Sequence, residues 1–164
     1  MRILRVIGLM LGLAVVAACG QKAPQVYQGP EVTHIYVEKA NRRMMLLHGN
    51  QIIKSYDIDL GFSPDGHKQF EGDGRTPEGT YYIDRRNPNS AYHLSLGISY
   101  PNPVDYAFAK QVGRSAGGNI FIHGRAGKDN GLRDWTAGCI AVTDKEIEEI
   151  WMMVRTGTPI TIVP

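Results

Sequence analysis

The chain has 164 residues, of which 43% are hydrophobic and 21% are charged. These values are typical of one folded domain with a single core, and they exclude a disordered chain. A formal net charge of +2 provides no electrostatic argument for binding nucleic acid. Nineteen Gly and nine Pro favour a loop-rich, mainly β architecture.

The N-terminal residues have the pattern of an export signal. Arg2 and Arg5 precede an apolar run over residues 6–18, which is too short for a convincing membrane span. Removing residues 1–18 takes away two of the eighteen basic residues and leaves sixteen bases against sixteen acids. The net positive charge therefore belongs to the predicted signal peptide at 1–18.

The sequence VAACG at 16–20 resembles a bacterial lipobox. We therefore expect Cys19 to be lipidated, with residues 19–31 forming the lipidated N-terminus and a tether. Acyl chains would anchor the protein at a membrane surface. By the same resemblance, Gly20 favours the outer over the inner membrane, on the periplasmic side. Ordinary signal cleavage near Ala18, with no role for Cys19, is the alternative.

Strand patterns begin at Val32. Alternating apolar residues predict strands in THIYVEKA, MMLLHG and QIIKSYDIDLG, and Asn41 and Gly49-Asn50 supply turn signals of a β-meander. Residues 61–79 are dense in Gly, Asp and Pro and predict a long loop, a kind of segment that is often functional. Strands are expected to resume at TYYIDRR and YHLSLGIS.

Two helices follow in the pattern. Asn102 and Pro103 predict the start of the first, with Val104, Ala107, Phe108 and Val112 expected on one face. A capping-box spacing predicts the second, and apolar residues recur along it at helical intervals: Thr143 and Glu146, then Ile147, Ile150, Trp151 and Val154. With short strands at NIFIHG, CIAVT and TPITIVP, residues 32–164 predict a mainly β domain with about two short helices.

One histidine and one cysteine are candidates for nucleophilic catalysis. His123 ends an apolar strand before Gly124, and Cys139 follows Gly138 at the start of another. If Cys19 carries lipid, Cys139 is the remaining thiol and an intrachain disulfide is impossible. A thiol nucleophile needs a base, and the base needs its second nitrogen held. Residue types alone leave a structural Cys and a structural His open.

Three segments in order resemble the L,D-transpeptidase (YkuD-like) family across roughly residues 32–164. They are GDGRTPEGTYYI, NPNSAYHLSLGISYPNP and the His-Gly to DWTAGCIAVTDKEIEEIW region. The resemblance implies a β-sandwich or barrel-like sheet with short helices. It also implies formation of 3→3 peptidoglycan cross-links or attachment of a lipoprotein to the wall, with no cofactor.

The resemblance assigns roles by position. Cys139 would be the nucleophile that attacks a stem tetrapeptide and forms a thioester, and His123 would be the general acid/base. The carbonyl of Gly124 would orient His123, and the N–H groups of Gly138 and Cys139 would form the oxyanion hole. Two positions depart from the family pattern: Ala137 replaces a frequent His, and Ala141 replaces a frequent Arg. These departures indicate a divergent branch and leave substrate recognition open.

Weaker candidates for binding the stem peptide lie beside these segments. The charged candidates are Arg75, Arg125, Arg133 and Asp134. The alternative interpretation is that they are solvated loop charges. The remaining candidates are Tyr100, Trp135 and Thr136. The alternative interpretation is that they are packing residues. The other histidines are scattered through strands and loops, so no zinc or other metal site is predicted.

The sequence therefore predicts an envelope-anchored cysteine acyltransferase whose partners are peptidoglycan stem peptides, a wall-attached lipoprotein and, through its lipid, the membrane. Two alternatives share the fold. One is a hydrolase with the same site, either an L,D-carboxypeptidase or an amidase that releases a wall-bound lipoprotein. The other is an inactive wall-binding lipoprotein.

Overall fold

The structure, a computed structural model, describes residues 26–126 and 131–164. The predicted signal peptide at 1–18 and the predicted lipidation at Cys19 lie outside the described residues. Within them, no helix is long and apolar enough to cross a membrane.

The described part of the chain forms eight strands and two helices. In chain order these are β1 (His34–Glu38), β2 (Arg43–His48), β3 (Gln51–Asp57), β4 (Gly79–Ser90), β5 (His93–Ile98), α1 (Pro103–Gln111), β6 (Phe121–His123), β7 (Ile140–Ala141), α2 (Asp144–Met153) and β8 (Pro159–Val163). The predicted strands and both helices are confirmed. Strand β4 extends beyond the predicted TYYIDRR segment and continues to Ser90.

The strands form one mixed sheet in the order β3-β2-β1-β8-β4-β5-β6-β7. The predicted meander is present as antiparallel β1, β2 and β3, and β8 adds beside β1 in parallel. Strand β4 joins the two halves, since it pairs with β8 near its start and with β5 beyond Ile83.

The two edges of the sheet approach each other beyond β3. Asp59 exchanges backbone hydrogen bonds with Ala141 of β7, with N···O distances of 2.9 and 2.8 Å. This bridge gives the sheet a barrel-like closure, as expected from the sequence, and it places the segment after β3 against the strand that follows Cys139.

The core fills the space between the two halves of the sheet and α2. Its fully buried members include Ile35, Leu46, Ile83, Leu96 and Ile122. Helix α2 is capped by Thr143 and Glu146 as predicted, and it buries Ile147 and Ile150 against this core. The helix thereby packs against β6, the strand that ends at His123.

The apolar residues of α1 share one face as predicted, and that face is exposed to solvent. Asn102 caps the helix as expected, but Val104, Phe108 and Val112 are exposed, and Asp105 and Ala109 are the buried residues. Asp105 is turned inward because it accepts hydrogen bonds from the Tyr81 hydroxyl and from His67. Polar bonding to the helix therefore overrides the apolar pattern.

Candidate active site

Parallel pairing of two short strands brings His123 and Cys139 to one groove. His123 is the last residue of β6, Cys139 immediately precedes β7, and the register aligns Ile122 with Ile140. The groove has a volume of about 260 Å³, and its lining consists of Asn87, Ser90, Ala91, Tyr92, Ser95, Asn119, Phe121, His123 and Cys139. Two residues sixteen positions apart in the sequence therefore share one surface.

The His123 ring is held in one orientation. Its Nδ1 donates to the carbonyl oxygen of Gly124 at 2.7 Å, which leaves Nε2 as the acceptor nitrogen of a neutral ring. Tyr92 stacks on the imidazole with a centroid separation of 4.5 Å, and Trp135 meets it edge-on at 5.7 Å. Burial lowers the pKa of His123, and the bond to Gly124 partly opposes this effect. The ring is therefore suited to accept a proton at neutral pH.

The Cys139 thiol rests against backbone rather than against the imidazole. Its Sγ donates to the carbonyl oxygen of Asn119 at 3.6 Å. Burial raises the pKa of Cys139, while the Phe121 N–H and the charge of Lys68 act in the opposite direction. The resting pair is consequently a thiol and a neutral imidazole rather than a thiolate and an imidazolium.

A threonine fixes the turn before the nucleophile. The buried Thr136 hydroxyl accepts the Gly138 N–H at 3.1 Å and donates to the Cys139 carbonyl oxygen at 2.8 Å. The Gly138 N–H thus already has an acceptor in the Thr136 hydroxyl, and its expected oxyanion role stays a prediction. The Cys139 N–H has no protein acceptor among the described residues and is the available oxyanion donor.

Glycine is required at the position before Cys139 for steric reasons. Gly138 has a φ of +128°, and a Cβ there would lie 2.5 Å from the carbonyl oxygen of Arg75. The 61–79 loop is therefore packed directly on the nucleophile turn. Asp73 organises that loop, since its carboxylate accepts from Lys68 and from the Arg75 N–H.

Two of the charged candidates are engaged within the protein. The Asp134 carboxylate accepts from the Arg42 guanidinium at 2.7–2.9 Å and from the Leu60 N–H at 2.9 Å. Arg133 lies against Asp59, with Nε 3.2 Å from a carboxylate oxygen. These contacts assign Asp134 and Arg133 to the packing of the 131–136 segment instead of to the groove.

The remaining candidates are divided between core, loop and groove. Tyr100 is buried and donates to the Ala116 carbonyl oxygen, so it is a core residue. Arg75 contributes its carbonyl near Gly138, and Arg125 is exposed; neither side chain lines the groove. Trp135 does stand beside His123, as a groove wall requires.

Sequence reasoning missed Tyr92, Asn119 and Phe121. Tyr92 lies in the NPNSAYH segment that carried the family resemblance, but its stacking on His123 depends on the β4–β5 turn. Asn119 sits at a φ of +56°, a value that Asn tolerates better than most residues and that turns its carbonyl toward the thiol. Sequence spacing alone contains no signal for either contact.

The other four histidines have partners away from the groove: His34 with Thr161, His48 with the Glu31 carbonyl, His67 with Asp105 and His93 with Glu148. Over residues 26–126 and 131–164, no three His, Cys, Asp or Glu side chains are grouped to hold a metal ion.

Comparisons with known proteins agree with this fold. Residues 32–162 match the family model for the L,D-transpeptidase catalytic domain (YkuD). The chain therefore belongs to the L,D-transpeptidase catalytic domain family.

Individual relatives are longer than this chain. The Escherichia coli (strain K12) protein named "Putative L,D-transpeptidase YafK" is 29% identical over 134 residues, covering 79% of this chain and 49% of its own length. The helical cell shape determining protein Pgp2 from Campylobacter jejuni superposes with a TM-score of 0.64 at 25% identity, covering 83% of this chain and 49% of Pgp2. The chain thus spans about half the length of these relatives.

A more distant structure supports the fold alone. The L,D-transpeptidase from Mycobacterium smegmatis superposes with a TM-score of 0.55 at 12% identity and covers 81% of this chain and 59% of that one.

Proposed function

We propose that the protein is a cysteine acyltransferase that acts on peptidoglycan stem peptides through a thioester on Cys139. The observation that supports this most directly is the shared groove of Cys139 and His123, with His123 Nδ1 fixed on the Gly124 carbonyl. Membership of the family supports the substrate class.

The first half-reaction forms the thioester. The Cys139 thiol turns from the Asn119 carbonyl toward His123, and Nε2 takes its proton as Sγ attacks the carbonyl carbon of the third residue of a tetrapeptide. The Cys139 N–H donates to the oxyanion. When the C–N bond breaks, the imidazolium returns the proton to the departing D-Ala amine.

The second half-reaction transfers the acyl group. An acceptor amine attacks the thioester carbonyl and gives its proton to His123 Nε2. The C–S bond then breaks, and the Cys139 sulfur leaves as a thiolate that takes the proton back from the imidazolium. The product is a new amide, which is a 3→3 cross-link or an attached protein according to the acceptor.

The test is incubation of the purified domain with a disaccharide-tetrapeptide, followed by mass spectrometry of the products. We expect a cross-linked dimer and free D-Ala. A tripeptide without dimer would instead identify the hydrolase. Cys139→Ala should abolish both products, and His123→Ala should reduce the rate by about 10²–10⁴-fold. A wild-type protein that is alkylated at Cys139 yet converts no tetrapeptide contradicts the proposal and supports a wall-binding role.

We further propose that the protein is anchored through lipid on Cys19 at the periplasmic side of the envelope, with the outer membrane as its site. Support comes from the basic start, the apolar run and the VAACG segment. Metabolic labelling with a fatty acid should mark the wild type and leave Cys19→Ser unlabelled. A Cys19→Ser variant that still carries the label would contradict the assignment.

A further inference from the structure

Arg85 lies in a cross-strand row that leads to the nucleophile. On neighbouring strands β4, β5 and β6, Arg85 pairs with Gly97 and Gly97 pairs with Phe121. The parallel register of β6 and β7 places Phe121 beside Cys139, and the Phe121 N–H bonds to the thiol. Side chains of one row project from the same face of a sheet, so Arg85 shares the face of the groove.

Gly97 makes room for the arginine to cross the sheet. A Cβ on Gly97 would lie 2.5 Å from Arg85 Cγ and 2.9 Å from its Cζ, so any other residue would displace the side chain. The guanidinium passes over β5 and stacks on the Phe121 ring, with Cζ 4.5 Å from the ring centroid. Phe121 lies on the strand next to β7, so the charge stacks on a direct neighbour of the nucleophile.

None of the residues that line the groove carries a full positive charge, and Arg85 adjoins the groove through two of them, Phe121 and Asn119. The lining consists of amide, hydroxyl, aromatic and methyl groups together with the thiol and the imidazole, whose pKa is lowered by burial. A carboxylate bound beside Phe121 and Asn119 at the edge of the groove therefore lies next to the Arg85 guanidinium.

Arg85 has donors free for a ligand. Its Nη1 pairs with the neighbouring carboxylate of Asp84 at 2.7 and 2.9 Å, in an exposed ion pair of the kind that contributes little. Its Nη2 makes only a 3.5 Å contact with Asn119 Oδ1, and Asn119 is the residue whose carbonyl holds the thiol. The guanidinium and the nucleophile thus meet at the same residue.

We propose that Arg85 is a specificity-determining residue that binds a free carboxylate of the peptide whose carbonyl is presented to Cys139. This inference rests on the proposed function for the identity of the peptide. A guanidinium suits the role because its planar donors match a carboxylate bidentately. The carboxylate has two sources in a tetrapeptide with diaminopimelate at position three: the C-terminal carboxylate of the leaving D-Ala, and the side-chain carboxylate of the diaminopimelate.

The experiment compares three synthetic tetrapeptides: the unmodified peptide, its C-terminal amide and the peptide amidated on the diaminopimelate side chain. Release of D-Ala or D-alaninamide gives kcat and KM for the wild type, Arg85→Gln and Arg85→Lys. Arg114→Gln is the matched control, because Arg114 also stacks on a phenylalanine, with Cζ 4.2 Å from the Phe70 ring centroid, but Phe70 does not line the groove.

For Arg85→Gln we expect about a tenfold loss of kcat/KM on the unmodified peptide, mainly through KM, because a charge-assisted bond at a partly exposed site is lost. The loss should disappear on one amidated peptide, which identifies the bound carboxylate. Arg85→Lys should recover part of it, and Arg114→Gln should behave as the wild type. An equal loss on all three peptides, or none, overturns the inference.

Binding measurements keep this test separate from the proposed chemistry. In a Cys139→Ala background, calorimetric titration with the same peptides measures affinity without turnover. If Arg85→Gln weakens binding in the Cys139→Ala background while the wild type turns over no peptide, the acyltransferase is contradicted and the carboxylate-binding role of Arg85 is supported. If the wild type turns over the peptides and Arg85→Gln leaves kcat and KM unchanged, the acyltransferase is supported and the role of Arg85 is contradicted. A protein that neither binds nor converts any of the peptides contradicts both.

Discussion

The sharpest test of the nucleophile turn is replacement of Thr136 by valine. Valine keeps the branched shape of threonine, so the change removes the hydroxyl with little loss of packing. That hydroxyl accepts the Gly138 N–H at 3.1 Å and donates to the Cys139 carbonyl at 2.8 Å. Both backbone groups would lose their partner in a turn where Thr136 itself is only 4% exposed.

The magnitude follows from the two orphaned groups. A buried polar group left unsatisfied costs about 1–3 kcal/mol, and the Cys139 carbonyl, on a half-buried residue, should fall at the low end. We therefore expect Thr136→Val to lower the free energy of unfolding by about 2–4 kcal/mol. Thr136→Ser keeps the hydroxyl and loses one methyl group, which costs about 1 kcal/mol.

Urea unfolding measures the stability difference, and the rate of covalent adduct formation at Cys139 with a carbapenem measures the effect on the nucleophile. We expect Thr136→Val to be slower in adduct formation than Thr136→Ser, because the turn that presents the sulfur is loosened. Equal stabilities and equal adduct rates for the two variants would refute the role that we assign to the hydroxyl.

Four further predictions concern the same groove. Alkylation of Cys139 by iodoacetamide should rise with pH and reach its midpoint above the ordinary cysteine value of about 8.5, because burial raises the pKa of the thiol. The acidic limb of kcat/KM should lie below about pH 6.5, since the lowered pKa of His123 keeps the ring an unprotonated base down to lower pH. Gly138→Ala should cost about 2–5 kcal/mol in urea unfolding, because it adds a strained positive φ to a clash with the Arg75 carbonyl. Tyr92→Ala should raise the pKa of His123 toward its ordinary value in an NMR titration, because it uncovers one face of the ring.

Each of these has a result that would count against it. An acidic limb of kcat/KM above about pH 6.5 would contradict the lowered pKa of His123. A Cys139 alkylation midpoint below pH 7 would indicate a thiolate–imidazolium pair. A Gly138→Ala protein as stable as the wild type would mean that the Arg75 carbonyl can withdraw. An unchanged His123 pKa in Tyr92→Ala would show that the stacked ring does not desolvate the imidazole; Tyr82→Ala, at an exposed tyrosine outside the groove, is the control.

Much of the fold was predictable because its signals are local. The alternating burial of β1 and the burial of Ile147 and Ile150 follow from the period of the apolar residues, and the cap of α2 follows from the spacing of Thr143 and Glu146. The pattern of α1 grouped Val104 and Phe108 on one face but did not decide that this face is exposed, because a hydrogen bond from Tyr81 to Asp105 fixes the rotation of the helix.

The sequence by itself determined the pair of residues that defines the candidate site. His123 and Cys139 each stand next to a glycine at the end of a short apolar strand, and family resemblance in three ordered segments related them to one chemistry. What surrounds them was decided by tertiary structure. The β4–β5 turn places Tyr92 on the imidazole, the positive φ of Asn119 directs its carbonyl at the thiol, and strand register aligns Arg85 with Phe121. These contacts join residues that are distant in the sequence, and no local pattern in the chain encodes such a contact.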